Sequence, residues 1–154
     1  MYAMQHFSLY HSFAGLLEKT ICALTERCHN NNLRVVIIVP SADFQEKINE
    51  LLWTYSPKQF IPHGSKLDPM AEQQPIYITC EKENPNNAAL LMIVNPSNIA
   101  DFSEDRLYIA RFQRILVIYD DSIIINQNII QQLKQKAELE HYTQSPSGGW
   151  SLQA

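Results

Sequence analysis

The chain has 154 residues, 45% of them apolar and 18% charged, with a net charge of −4. That length closes one core and falls short of two, and the apolar share excludes a disordered chain. A pI near 5.7 argues against nucleic-acid binding through the whole surface, because phosphate neutralisation needs clustered Lys and Arg.

Residues 4–10 set Phe7, Leu9 and Tyr10 in a strand-like context. From Ser12 to Asn30 the period changes: Phe13, Leu16, Leu17, Ile21, Leu24 and Cys28 recur at steps of three and four, the stripe of an amphipathic helix. Asn30, Asn31 and Asn32 close it, since Asn accepts the left-handed conformation at a helix end. Leu33 to Val39, interrupted only by Arg34 and rich in β-branched residues, reads as a strand buried on both faces. Ser41 is expected to cap the next helix, with Asp43 and Glu46 adding acid to its first turn and Phe44, Ile48, Leu51 and Leu52 as its apolar stripe. Ser56 and Pro57 end that helix.

Phe60 to His63 is a short extended piece, and Gly64 to Gln74 a polar loop. Pro75 to Cys80 and Ala89 to Asn95 read as strands around a turn-rich connection marked by Asn84, Pro85 and Asn86. Phe102 to Phe112 reads as a short helix and Arg114 to Tyr119 as another buried strand. Asn126 to Glu140 reads as a polar helix with Ile129, Ile130, Leu133 and Ala137 on its apolar face. The tail, His141 to Ala154, either adds an edge strand or lies loosely. Buried strands alternating with amphipathic helices predict an α/β fold over residues 1–154: a single domain of three layers, Rossmann-like, with a mostly parallel central sheet.

No apolar run nears the ~18 residues of a membrane span, and the N-terminus lacks a basic region followed by an apolar block. A soluble, cytoplasmic protein that binds no membrane is expected. Cys22, Cys28 and Cys80 show no C-x-x-C spacing and are expected to be reduced, partly buried thiols.

The residues that usually carry chemistry are sparse. None of Gly15, Gly64, Gly148 and Gly149 forms a G-x-G-x-x-G or P-loop arrangement, so the fold is expected without its nucleotide-binding glycine loop. His6, His11, His29, His63 and His141 are scattered without ligand spacing. No metal, no cofactor and no catalytic residue is expected. Asp120 and Asp121 follow a buried strand, where they either bind a cation, as in a nucleotide- or cation-binding enzyme, or begin a solvated turn; the turn is the expectation. The most unusual local feature is Leu52-Trp53 followed by Phe60-Ile61-Pro62-His63. On pattern alone both rings are expected in the core; the other reading is a protein-binding surface anchored on Trp and Phe.

Leu52-Trp53 and, at this spacing, Phe60-Ile61-Pro62-His63 resemble the signature of the chi subunit of bacterial DNA polymerase III. Pro75-Ile76-Tyr77-Ile78 and Val117-Ile118-Tyr119-Asp120-Asp121-Ser122 resemble further segments of that family, so the resemblance runs from about Gln5 to Trp150. It implies a non-catalytic accessory of the clamp loader with two surfaces. One, around Trp53, Phe60, Ile61, Pro62 and His63, would face the psi subunit or an equivalent clamp-loader or helicase-like partner. The other would hold the acidic C-terminal tail of single-stranded DNA-binding protein. Its candidates are Lys134 and Lys136, with Val117, Tyr142 and Trp150 as pocket walls, because such a tail needs cations beside an apolar pocket. The family often carries arginines on its last helix, and this helix has none. Weaker tail binding, or a compensating arginine from Arg106, Arg111 or Arg114, is therefore expected. No direct, specific DNA binding is expected, and the chain on its own is expected to be a monomer. A structural role in some other complex remains the third reading.

Overall fold

The computed structural model describes residues 5–55, 61–66 and 68–153. They build an 8-stranded sheet whose elements run β1 (Gln5–His11), α1 (Leu17–Asn30), β2 (Val35–Ile38), α2 (Ala42–Thr54), β3 (His63–Gly64), a 3-10 turn at Ala71–Gln73, β4 (Ile76–Thr79), β5 (Leu90–Val94), α3 (Ala100–Ser103), α4 (Arg106–Ile109), β6 (Arg114–Tyr119), α5 (Gln127–Lys136), β7 (Ala137–Gln144) and β8 (Trp150–Gln153). The strand order is β3-β4-β2-β5-β6-β1-β7-β8. Neighbours pair in parallel except β7 and β8, which form an antiparallel hairpin.

The apolar runs of the sequence occupy the middle of this sheet, where both faces are covered. All of β2 and β5 is buried, and one core forms on each side. Val36, Leu91, Ile115 and Val117 face α3, α4 and α5 together with Phe7 and Leu9. Val35, Met92, Leu116 and Ile118 face α1 and α2, with Ile21, Ile48 and Leu52. The result is the expected three-layer, Rossmann-like, mostly parallel arrangement.

Local signals place the helices. The Ser41 hydroxyl accepts from the Phe44 N–H at 3.1 Å and caps α2. Asn32 takes φ 60° behind α1, so the chain turns back where the three asparagines foretell. The start of α1 differs: Gly15 sits at φ 86°, the helix begins at Leu17 and Phe13 is left exposed. The expected helix over Phe102–Phe112 is two short pieces. The Asp105 carboxylate accepts from the Tyr108 N–H at 3.2 Å and starts α4 afresh.

The largest difference concerns α5, which stops at Lys136. The segment Ala137–Glu140 is not helix but the beginning of β7, paired in parallel with β1 from Gln5↔Ala137 onward. Ala, Glu, Leu and Glu are good helix formers, and pairing with a neighbouring strand overrides that preference. The tail is the hairpin β7–β8, which forms one edge of the sheet.

Candidate functional site

The end of α2 and the segment entering β3 form the first surface. Leu52 and Ile61 are fully buried in the core. His63 is buried as well, its Nδ1 2.7 Å from the Ile61 carbonyl oxygen and its Nε2 3.0 Å from that of Asn49. The imidazole therefore fastens the 61–64 segment to α2. On it rests the indole of Trp53, ring centroids 4.5 Å apart, with the Trp53 residue 52% exposed. Pro62 is half-buried beside them. Trp53, Ile61, Pro62 and His63 thus lie together, two as buried support and Trp53 as the outward ring; Phe60 falls outside the described residues.

The second set is not brought together. Lys134, exposed on α5, borders a hollow of about 380 Å³ between that helix and β7. Ile130, Leu139, His141 and Thr143 line it, with Gln127 and Gln153 at its polar rim. Lys136 points elsewhere, its Nζ 3.4 Å from Glu104 Oε1, and borders a separate, smaller hollow against α3. Val117 is completely buried in the core and walls no surface pocket. Tyr142 and Trp150 stand on the opposite face of the sheet: Tyr142 stacks on Tyr10 at 5.0 Å, and Trp150 meets Tyr10 edge-on at 5.4 Å. Strand geometry explains the split, because Leu139, His141 and Thr143 alternate with Glu140, Tyr142 and Gln144. Reading residues 137–140 as helix hides that alternation, so His141, Leu139 and Thr143 are missed as neighbours of Lys134. The apolar–charged alternation Ala137-Glu138-Leu139-Glu140 is the signal that could have found them.

No compensating arginine reaches this hollow. Arg106 and Arg111 belong to α4 and the turn after it. Arg114 lies on the other face, its Nη2 donating to Ser8 Oγ at 2.8 Å. What tunes the hollow instead is His141. Burial, aided by His11 and Lys134, holds its imidazole below the ordinary value of 6.5. Tyr119 Oη lies 2.9 Å from His141 Nε2, and the His11 ring stacks on Tyr119.

The paired acids behind β6 are turn chemistry. The Asp120 carboxylate accepts from Ser122 N–H at 2.9 Å and from Asn95 Nδ2 at 3.1 Å. Burial would raise its pKa, but these hydrogen bonds outweigh burial and leave the carboxyl below the usual 3.8. Asp121 engages His11 at 2.8 Å. Among the described residues no three His, Cys, Asp or Glu side chains gather as a metal site would require. Burial, with Glu18 and Glu26 nearby, pushes the Cys22 thiol up to about 12, and burial also raises Cys28 and Cys80. Cys80 is exposed, which the sequence reading did not anticipate.

The sequence profile of the family "DNA polymerase III chi subunit, HolC" matches residues 4–138. The chain belongs to the DNA polymerase III chi subunit family. A "Probable DNA polymerase III subunit chi" of Rickettsia prowazekii (strain Madrid E) is 44% identical over 151 residues, covering 96% of this chain and 92% of that protein. The family is that of a DNA replication accessory subunit. Among solved structures, domain 2 of the DEAD-box helicase Mss116p, described as bound to an RNA duplex, aligns with a TM-score of 0.56 at 15% identity, over 92% of this chain and 65% of that one. The C-terminal domain of the DEAD-box protein Dbp5 aligns with a TM-score of 0.51 at 12% identity, over 92% and 91%. At such identities the likeness speaks for the fold alone. The chi-family chain thus shares an α/β scaffold with helicase domains. Among its described residues no helix is long and apolar enough to cross a membrane.

Proposed function

We infer that this chain is a non-catalytic adaptor of DNA polymerase III, holding the acidic C-terminal tail of single-stranded DNA-binding protein and linking it to the clamp loader, through psi where that subunit is present. The observation that carries the tail site is Lys134. It has no carboxylate within ion-pair distance among the described residues, and it borders a hollow lined mainly by polar side chains, Gln127, His141, Thr143 and Gln153, with Ile130 and Leu139 as its smaller apolar part. A tail that ends in an apolar residue with a free carboxylate needs a cation beside an apolar contact. His141 and Thr143 replace Val117, Tyr142 and Trp150 in this reading. The second surface is the Trp53 ring on its His63 support, with the psi subunit or a helicase-like protein as its partner. A tryptophan about half exposed yet held from below by His63 is the kind of anchor that dominates interface energies.

The test is capture of single-stranded DNA-binding protein by the purified chain. Capture should vanish when the last residues of that partner are removed, and should survive Trp53→Ala. Retention of the truncated partner would overturn the tail assignment.

A further inference from the structure

Two hollows open on the face of the sheet opposite Lys134, and they share Leu24 and Arg27 of α1. The first, about 290 Å³, runs from α1 to the starts of β5 and β6. Leu24, Cys28, Leu33 and Leu116 give it apolar walls, and Arg27 and Arg114 flank it. The second, about 370 Å³, lies between α1 and the β7–β8 hairpin, where Lys19 and Trp150 border it. No Asp or Glu lines either hollow, in a chain whose net charge is −4. Among the described residues Lys19 and Arg27 have no carboxylate within ion-pair distance, and the Arg114 Nε is buried without an acceptor.

We propose that these two adjoining hollows form a second peptide-binding surface, taking an acidic segment of a protein partner that inserts one large apolar side chain between Arg27 and Arg114. At about 290 Å³ the first hollow is large enough to admit such a side chain. Guanidinium forks on either side match carboxylates in two-point geometry, which a lysine cannot offer. Both arginines act on the same spot: burial raises the Tyr10 hydroxyl, Arg114 and Arg27 pull against it, and Glu140 adds to the rise. The aromatic rings favour a peptide over single-stranded nucleic acid. Tyr10 and Tyr142 spend ring face on each other, whereas a base-stacking platform keeps its faces open. Arg114 also stands 3.8 Å from Glu140, which suits one carboxylate exchanged for another better than a track of phosphates.

The probe is a short fluorescein-labelled peptide, amidated at its C-terminus and carrying Asp and Glu residues on both sides of one internal Phe, titrated against the full chain. Saturable binding is expected. It should fall about ten-fold or more with Arg27→Glu, an exposed position whose reversal leaves the core untouched, and equally when the peptide Phe becomes Ser. Lys134→Gln should leave it unchanged, whereas that variant should weaken the tail of single-stranded DNA-binding protein. The two surfaces therefore fail separately. Absence of saturable binding, or a loss with Lys134→Gln that Arg27→Glu does not share, overturns the proposal. So does a thymidine oligonucleotide that binds as tightly as the peptide with the same dependence on Arg27.

Discussion

Replacing Lys134 by Gln keeps the length and helix propensity of the side chain and removes its charge. The effect on tail binding can be worked from the surroundings. At about 4 Å, two unit charges attract by roughly 1 kcal/mol in water and roughly 4 kcal/mol at the effective dielectric of a protein surface. Lys134 is exposed, so hydration and the cost of ordering its stem reduce the net to about 0.5–1.5 kcal/mol. At about 1.4 kcal/mol per decade, that is a loss of roughly two- to twelve-fold in affinity. Lys136, only two residues on, already engages Glu104 at 3.4 Å and borders a different hollow, so Lys136→Gln should change affinity by less than about two-fold. Fluorescence anisotropy of a labelled tail peptide measures both. Raising salt from about 0.05 to 0.3 M should shrink the Lys134 effect, because the screening length then falls below about 8 Å. Equal losses for the two lysines, or none for Lys134 while binding persists, would refute the reasoning.

Tail binding should also tighten as pH falls below 6.5, because an anion in the hollow favours the imidazolium of His141, which burial, His11 and Lys134 otherwise suppress. Calorimetry in buffers of different ionisation enthalpy should register proton uptake, and His141→Gln should abolish it. Trp53→Ala should cost the fold under about 1 kcal/mol while Leu52→Ala, one residue earlier but fully buried, costs about 2–5 kcal/mol in thermal denaturation. Asp120→Ala should cost about 1–2 kcal/mol at neutral pH, discounted for partial exposure. The folded carboxyl sits below 3.8, so its contribution is whole above that value and fades as pH drops through the depressed one, which melting curves across acid pH would trace.

The parallel sheet was legible because its central strands are covered on both sides, and such strands must be apolar throughout; Val35–Ile38 and Ile115–Tyr119 announce themselves. Ser41 and Asn32 were legible because caps act within a few residues of their own position. What the sequence hid depends on distant partners. Residues 137–140 favour a helix in isolation and become strand only because β1, more than a hundred residues earlier, offers them a ladder. Reading that segment as helix hides the two faces of β7 with it. Lys134 borders the hollow as the sequence suggests, whereas Tyr142 and Trp150 lie on the other side of the sheet. The groove flanked by Arg27 and Arg114 was illegible for the same reason, since its walls come from α1, β5, β6 and the final hairpin.

β7 carries two interleaved inscriptions, one read from each side of the sheet. Its odd-numbered residues from Leu139 serve the lysine hollow, and its even-numbered ones from Glu140 serve the aromatic cluster. Each can drift by substitution without disturbing the other, so the two faces can be tuned independently on eight residues of backbone. A single insertion or deletion has no such freedom, for it would transpose every later letter and exchange the two texts at once. Relatives should therefore vary freely in the composition of this strand while keeping its length between Ala137 and Gln144 fixed.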